Sequence, residues 1–263
     1  MNRLEEKMSE ILLDLKNNYN VKAVKAEFGE EGSSFEEINY LKKFLDSVNI
    51  DLTVKIGGCE ALNDMRAADI IKANSIVAPM IESSYALKKF VKLATPLFLG
   101  HKDKNIKLFA NIETITGYMN LDEILSTNEA NLLTGIVLGR SDMAYSLGLK
   151  CSDVNSDKIF QIADTISEKT KNYNKNLIIG GAVSKTSIEF LKQILTRNLA
   201  GFETRKILFD ASLLHKSNIE AGLKKALEFE ILWLNNKNNV FKNLSNEDNH
   251  RLEILERRYN ELL

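Results

Sequence analysis

The chain has 263 residues, 44% of them hydrophobic and 27% charged, with a formal net charge of −1. That length suits one large domain or two small ones, and α/β barrels of about 250 residues form a single unit. The near-neutral charge argues against DNA, RNA or an anionic membrane as partner.

No apolar run reaches the roughly 18 residues that a spanning helix needs, and the acidic opening "MNRLEEKMSEILLDL" is unlike a signal peptide. A cytoplasmic location is therefore expected. Cys59 and Cys151 are too few and too isolated for a disulfide framework or a cysteine-based zinc site. Only Pro79 and Pro96 interrupt the chain, with no linker or repeat, so one barrel-sized domain over 1–237 is expected, followed by a helical extension over 238–263.

In chain order, Leu4, Met8, Ile11, Leu12 and Leu15 are spaced as one face of an opening helix. A strand (21–28) follows, then a helix from about residue 35, with Ser33 or Ser34 as cap and Glu36 or Glu37 in its first turn. Further strands are expected at 50–58, 75–81, 106–113, 133–140, 176–183 and 205–210, each separated from the next by a helix. Ser83 or Ser84 caps the helix "YALKKFVKLA". A long helix (212–235) and a tail helix (245–262) close the chain, and "GFETRK" (201–206) reads as a connection at the barrel's bottom where Glu203 and Arg205 pair.

Seven strands alternating with helices call for a parallel sheet covered by helices, either a barrel or an open doubly wound sheet. The expected strand ends are Glu27, Lys55, Glu82, Glu113, Asp142, Gly180–Gly181 and Asp210, charged at six of seven. A β/α barrel gathers such ends at one mouth, and no G-x-G-x-x-G or P-loop follows the first strand. A TIM-type barrel is the expected fold, with its eighth strand unidentified and helical extensions at both termini.

Two of those ends raise a chemical question. Carboxylates on adjacent parallel strands start about 5 Å apart, so Glu113 and Asp142 would repel unless one binds a proton or both bind a cation. Oxygen ligands with open positions suit Mg²⁺ or Mn²⁺. Alternatively, each acid merely favours the N-terminus of the helix that follows. Both readings stay open on the residues alone.

The stretches "VAPMIESSYALKKFV", "ANIETITGYMNLDEI" and "GIVLGRSDMAYSLG" resemble, in order and spacing, the HpcH/HpaI aldolase and citrate lyase β-subunit family of the phosphoenolpyruvate/pyruvate barrel superfamily. The third departs from the family pattern only in Met143 for Leu, and the similarity runs over roughly residues 20 to 215. The resemblance implies that Glu113 and Asp142 are the protein ligands of a divalent metal that also holds a pyruvate-like 2-oxo acid. It implies a carbon–carbon lyase or aldolase working through an enolate, with an aldehyde or CoA thioester as the second partner. Relatives commonly exchange C-terminal helices between subunits, so a homo-oligomer is expected.

Two departures qualify this. Lys55 stands where the family has a substrate-contacting arginine, keeping the charge without the two-pronged fork. The stretch "VKAEFGEEG" lacks the histidine acid/base of the aldolase branch. Proton transfer then falls to Glu27, Glu30, a metal-bound water or a neighbouring subunit, and none of His101, His215 and His250 ends an expected strand. Gly57, Glu82, Arg140 and Ser141 are the further candidates for substrate contact at the mouth. A citrate-lyase-like acyl or CoA-thioester lyase and a non-catalytic binding barrel remain the rival readings.

Overall fold

The computed structural model describes residues 3–99, 106–241 and 246–260. Its strands are β1 (Val21–Glu27), β2 (Asp51–Lys55), β3 (Ser75–Ala78), β4 (Lys107–Ile112), β5 (Gly135–Gly139), β6 (Asn176–Gly180), β7 (Gly201–Glu203) and β8 (Ile207–Asp210). They close into one barrel in sequence order. β1 to β7 pair in parallel, while β8 runs antiparallel to both β7 and β1.

The eighth strand is β7, inside the stretch expected as a bottom connection. At three residues beginning with glycine it is too short to show a strand periodicity. It turns directly into β8, with Thr204 N donating to Ile207 O at 2.9 Å. No helix intervenes, which also explains the reversal of β8. One expectation changes with it: Asp210 ends β8 at the bottom of the barrel, where it pairs with Lys22 at 2.5 Å.

The helices are α1 (Arg3–Asn18), α2 (Phe35–Val48), α3 (Leu62–Ile71), α4 (Ser84–Ala94), α5 (Ile115–Met119), α6 (Leu121–Leu125), α7 (Arg140–Ser146), α8 (Asp157–Asn172), α9 (Ile188–Asn198), α10 (Ile219–Phe241) and α11 (Asn246–Asn260). Ser34 and Glu37 form a reciprocal capping box on α2, and the Ser83 hydroxyl caps α4. The long helix expected over 212–235 is a 3₁₀ turn (Ala211–His215) followed by α10, which passes through residue 237 without a break.

The apolar stripe of α1 (Met8, Ile11, Leu12, Leu15) is buried, and the helix packs on α10 of the same chain. In the C-terminal stripe Leu255 is fully buried and α11 lies on α10, while Leu262 falls outside the described residues. None of the described helices is long and apolar enough to cross a membrane.

Inside the barrel, Ala23, Val77, Phe109, Val137, Ile178 and Leu208 form a separate buried apolar cluster. Side chains two residues apart on a strand share a face. One step above this cluster the same inward face therefore carries Lys25, Asn111 and Gly139, with Glu27, Lys55 and Glu203 beside them at the same end.

Candidate active site

A cavity of about 280 Å³ opens at this end, lined among others by Glu27, Glu30, Lys55, Glu113, Ser141 and Asp142. The two carboxylates singled out by their strand ends thus share one site. Neither supplies the N-cap hydrogen bond, although Asp142 sits where a carboxylate favours a helix N-terminus. Thr114 caps α5 with its hydroxyl, and Asp142 stands in the first turn of α7, whose N-cap is Gly139.

Glu113 is 1% exposed. Its Oε1 accepts from the Met80 backbone N–H at 3.0 Å and its Oε2 from Asn111 Nδ2 at 2.6 Å. Met80 has a left-handed backbone (φ 46°), which a non-glycine residue adopts at a cost of about 1 kcal/mol. Gly139 is needed for the approach of Glu113: a Cβ there would meet Glu113 Oε2 at 2.8 Å. Burial pushes the Glu113 carboxyl above its ordinary value; Lys55 opposes that shift and the neighbouring Asp142 adds to it.

Lys55 Nζ lies 3.4 Å from Glu27 Oε1 and 3.6 Å from Glu113 Oε2. Burial alone would lower its ammonium pKa, but Glu113, Glu27 and Asp142 outweigh that and hold it above the ordinary lysine value. Lys55 is therefore a fixed positive charge at neutral pH. Glu30 is exposed at the rim, its backbone N–H donating to Glu27 Oε1 at 3.3 Å.

On the opposite wall, Lys25 pairs with Glu203 at 2.5 Å, and Glu31 pairs with Lys206 at 2.5 Å and Arg205 at 3.3 Å. This corrects the expectation that Glu203 and Arg205 pair with each other at the bottom. Both line the mouth, each with a different partner, because β7 delivers them there. Lys25 and Glu203 were missed as site residues. The inward period-two register of Lys25 with Glu27 could have revealed the lysine, but nothing local marks Glu203.

Three candidates lie elsewhere. Arg140 is fully buried behind the mouth, its guanidinium donating to Gly180 O (3.0 Å), Gly181 O (2.8 Å) and Asn155 Oδ1 (2.7 Å) and lying over the Phe190 ring. Burial pulls its pKa down to about 10, and it ties β5 to the loop after β6. Arg140 is thus absent from the cavity lining, because the chain turns the residue after Gly139 away from the mouth. Glu82 accepts from the Thr114 hydroxyl at 2.6 Å and stands outside the cavity lining. Gly57 is exposed and also outside the lining, its N–H donating to Asp64 at 2.7 Å. His215 and His250 are exposed and away from the cavity, and His101 falls outside the described residues.

The donor set suits a hard divalent cation. Among the described residues, no three His, Cys, Asp or Glu side chains gather into a ready-made cage. Mg²⁺, however, is commonly held by one or two carboxylates, with substrate and water completing its shell. In the mouth the carboxylates Glu27, Glu113, Asp142 and Glu203 gather around the ammonium groups of Lys25 and Lys55, and Glu113, Asp142 and Glu27 have Lys55 in common. Beside them, Asn111 Oδ1 is a buried acceptor without a hydrogen-bond partner, a costly state unless a cation or donor meets it.

A family model described as HpcH/HpaI aldolase/citrate lyase matches residues 50–196, more than half of the chain. Among solved structures, an HpcH/HpaI aldolase from Desulfitobacterium hafniense DCB-2 is 14% identical with a TM-score of 0.61, covering 84% of this chain and 88% of that one. The citrate synthase SbnG is 18% identical with a TM-score of 0.60, covering 86% and 90%. An HpcH/HpaI aldolase/citrate lyase family protein from Burkholderia cenocepacia J2315 is 13% identical with a TM-score of 0.61, covering 76% and 83%. At such identities these structures share the fold. No curated protein matches the chain.

Proposed function

The chain belongs to the HpcH/HpaI aldolase/citrate lyase family, a lyase- or aldolase-type enzyme, and from that premise we propose that it makes or breaks a carbon–carbon bond through the enolate of a pyruvate-like 2-oxo acid, with Mg²⁺ or Mn²⁺ as cofactor. The carrying observation is the convergence of Glu113, Asp142 and the orphan Asn111 oxygen at one cavity, where the two carboxylates have a single lysine in common. Glu113 and Asp142 would hold the ion. When bound, it supplies positive charge to the carbonyl oxygen on which the enolate's negative charge develops.

The chain's own groups divide the remaining tasks. Lys55, permanently charged, orients the substrate carboxylate. It does not serve as a Schiff-base nucleophile, since that role needs a lowered lysine pKa. The Ser141 hydroxyl offers a hydrogen bond on the β5 side. Glu27 is the acid/base, with Glu30 above it at the entrance. In the cleavage direction Glu27 takes the proton of the hydroxyl beta to the new enolate. The breaking bond's electron pair passes to the 2-oxo-acid fragment, the other fragment leaves as a carbonyl compound, and the proton returns to the enolate carbon.

The test is a screen of pyruvate or oxaloacetate against aldehydes and CoA thioesters, with Mg²⁺ or Mn²⁺ and with chelator. Turnover that chelator abolishes and added metal restores is expected. Metal-independent turnover, or metal binding without turnover of any pair, overturns the reading; the latter outcome leaves a binding barrel.

A further inference from the structure

Lys25 neutralises Glu203, and its place on β1 gives it a second neighbour. Lys25 Nζ lies 2.5 Å from Glu203 Oε1, and both side chains line the cavity. Gly180 leaves the space for Glu203, since a Cβ there would meet Glu203 Oε1 at 2.9 Å. The Lys25 backbone N–H donates to Lys206 O at 2.7 Å, which anchors the strand at that point. Glu27 follows two residues on, along the same face of β1. Burial alone would lower the Lys25 ammonium pKa, but Glu203 and Glu27 outweigh that, against opposition from Lys55, and hold it above the ordinary lysine value. Lys25 thus stays charged and acts on Glu27 through space.

Charges alternate across this part of the mouth: Glu203, Lys25, Glu27, Lys55, Glu113. Glu27 therefore stands between two ammonium groups, and they serve it differently. Lys55 is shared with Glu113, and a substrate carboxylate that it orients draws on the same charge. Lys25 gives its hydrogen bond to Glu203, so it supplies positive charge to Glu27 without occupying the oxygens that take a proton. The remaining charged groups lining the cavity are Glu30, Asp142, Arg205, Glu230, Arg251 and Arg258. Of these, Arg205 is paired with Glu31 and Arg251 with Glu230.

We propose that Lys25 is a positioning residue that keeps Glu27 ionised, and so able to accept a proton, once the substrate carboxylate has engaged Lys55, while Glu203 holds the Lys25 ammonium back from the Glu27 oxygens. This rests on the lyase reading above for the proton that Glu27 takes. Removing either partner then has opposite effects. Without Lys25, Glu27 is left among like charges and its protonation is favoured; without Glu203, the ammonium is free to move onto Glu27 and favours its ionised form.

Two measurements on the full chain, saturated with Mg²⁺, test this. Carbon-13 NMR of the side-chain carboxyls, with Glu27→Gln assigning the resonance, follows the titration of Glu27 directly. Lys25→Met is expected to move its midpoint up by about one pH unit, Glu203→Gln to move it down, and Lys25→Arg to leave it near the parent's. If Lys25→Met does not fold with Glu203 stranded, the double variant with Glu203→Gln should still raise the midpoint, since Lys25 shares a strand with Glu27 and Glu203 does not. Lys22→Met removes a lysine of the same strand that pairs with Asp210 at the barrel bottom, and serves as the control for general charge. A midpoint unmoved by loss of Lys25, or moved equally by loss of Lys22, overturns the proposal.

The second measurement is steady-state kinetics across pH. Lys25→Met should move the acid limb of the kcat profile upward, so that kcat on the acid side falls about tenfold, with KM for the 2-oxo acid near the parent's. Glu203→Gln should move that limb downward. A lower kcat and melting temperature with no displaced limb would make Lys25 purely structural and overturn the proposal. Turnover whose limb ignores Lys25 also overturns it and keeps the lyase reading. A Glu27 midpoint that follows Lys25, without turnover of any aldehyde or thioester, does the reverse.

Discussion

The two walls of the mouth use the same residue types and are wired oppositely. On the β7–β8–β1 side two buried carboxylates have cations of their own: Glu203 has Lys25, and Glu31 has Lys206 and Arg205. On the β4–β5 side Glu113 and Asp142 stand together and share the single ammonium of Lys55 with Glu27. The consequence shows in their titration. For Glu31, burial pushes upward but Lys206 and Arg205 prevail and hold the carboxyl below its ordinary value, whereas Glu113 is held above it. A self-neutralised wall serves stability, and on the proposed reading the other wall receives a cation.

That contrast can be broken most directly at Glu113 and Asp142. Glu113→Gln and Asp142→Asn should each lower metal-dependent lyase activity about a thousandfold, roughly 4 kcal/mol in the barrier. Thermal stability without metal should hold or rise, since each change relieves like-charge repulsion. Steady-state kinetics and a melting curve check both halves, and metal affinity equal to the parent's would remove these residues from the site.

The opposite wall should respond in stability. Glu31→Gln strands the buried Lys206 ammonium and is expected to cost about 3 kcal/mol in urea unfolding at neutral pH. The folded pKa of Glu31 is depressed, so its contribution is present above the unfolded value near 4.5 and disappears as pH falls through the folded pKa. The gap between parent and variant should therefore narrow below that pH. The Glu113 contribution runs the other way, present below 4.5 and lost as pH rises through its raised folded pKa. A gap that widens on acidification would invert the assignment of the two walls.

Lys55 joins the walls and should show an intermediate effect. Lys55→Met is predicted to lower kcat/KM for the 2-oxo acid about thirtyfold, near 2 kcal/mol, and Lys55→Arg to keep most of it. Unchanged kinetics in the methionine variant would make Lys55 a spacer between carboxylates.

The smallest effect is expected from the periphery. Truncation after Phe241 removes α11, uncovers Glu230 and should cost about 1 kcal/mol in stability. Light scattering of the full chain should report a homo-oligomer, and the truncated chain a smaller species. A full chain that stays monomeric at high micromolar concentration overturns the expected assembly.

The seven longer strands, the helix caps Ser34 and Ser83 and the meeting of Glu113 with Asp142 at one mouth were legible because each rests on a local rule: short apolar runs, capping chemistry, carboxylates just past adjacent strands. Asp210 was misplaced and Glu203 overlooked for one shared reason. The three residues of β7 carry no periodicity, and without them β8 has the wrong direction. Arg140 and Glu82 failed differently, since adjacency to a strand end does not say which way a side chain turns.

By itself, then, the sequence determined the barrel and the identity of its two acidic strand ends, since apolar periodicity and chain order are properties of neighbours along the chain. Only the tertiary structure decided that four carboxylates meet two lysines at the floor, that Glu31 is neutralised while Glu113 is not, and that α11 brings Arg258 to the same cavity. Those outcomes depend on closure between β1 and β8 and on the packing of α10 and α11. Closure of the barrel joins residues more than 170 positions apart, as Lys25 and Glu203 are, and no local pattern encodes which charge will find which partner.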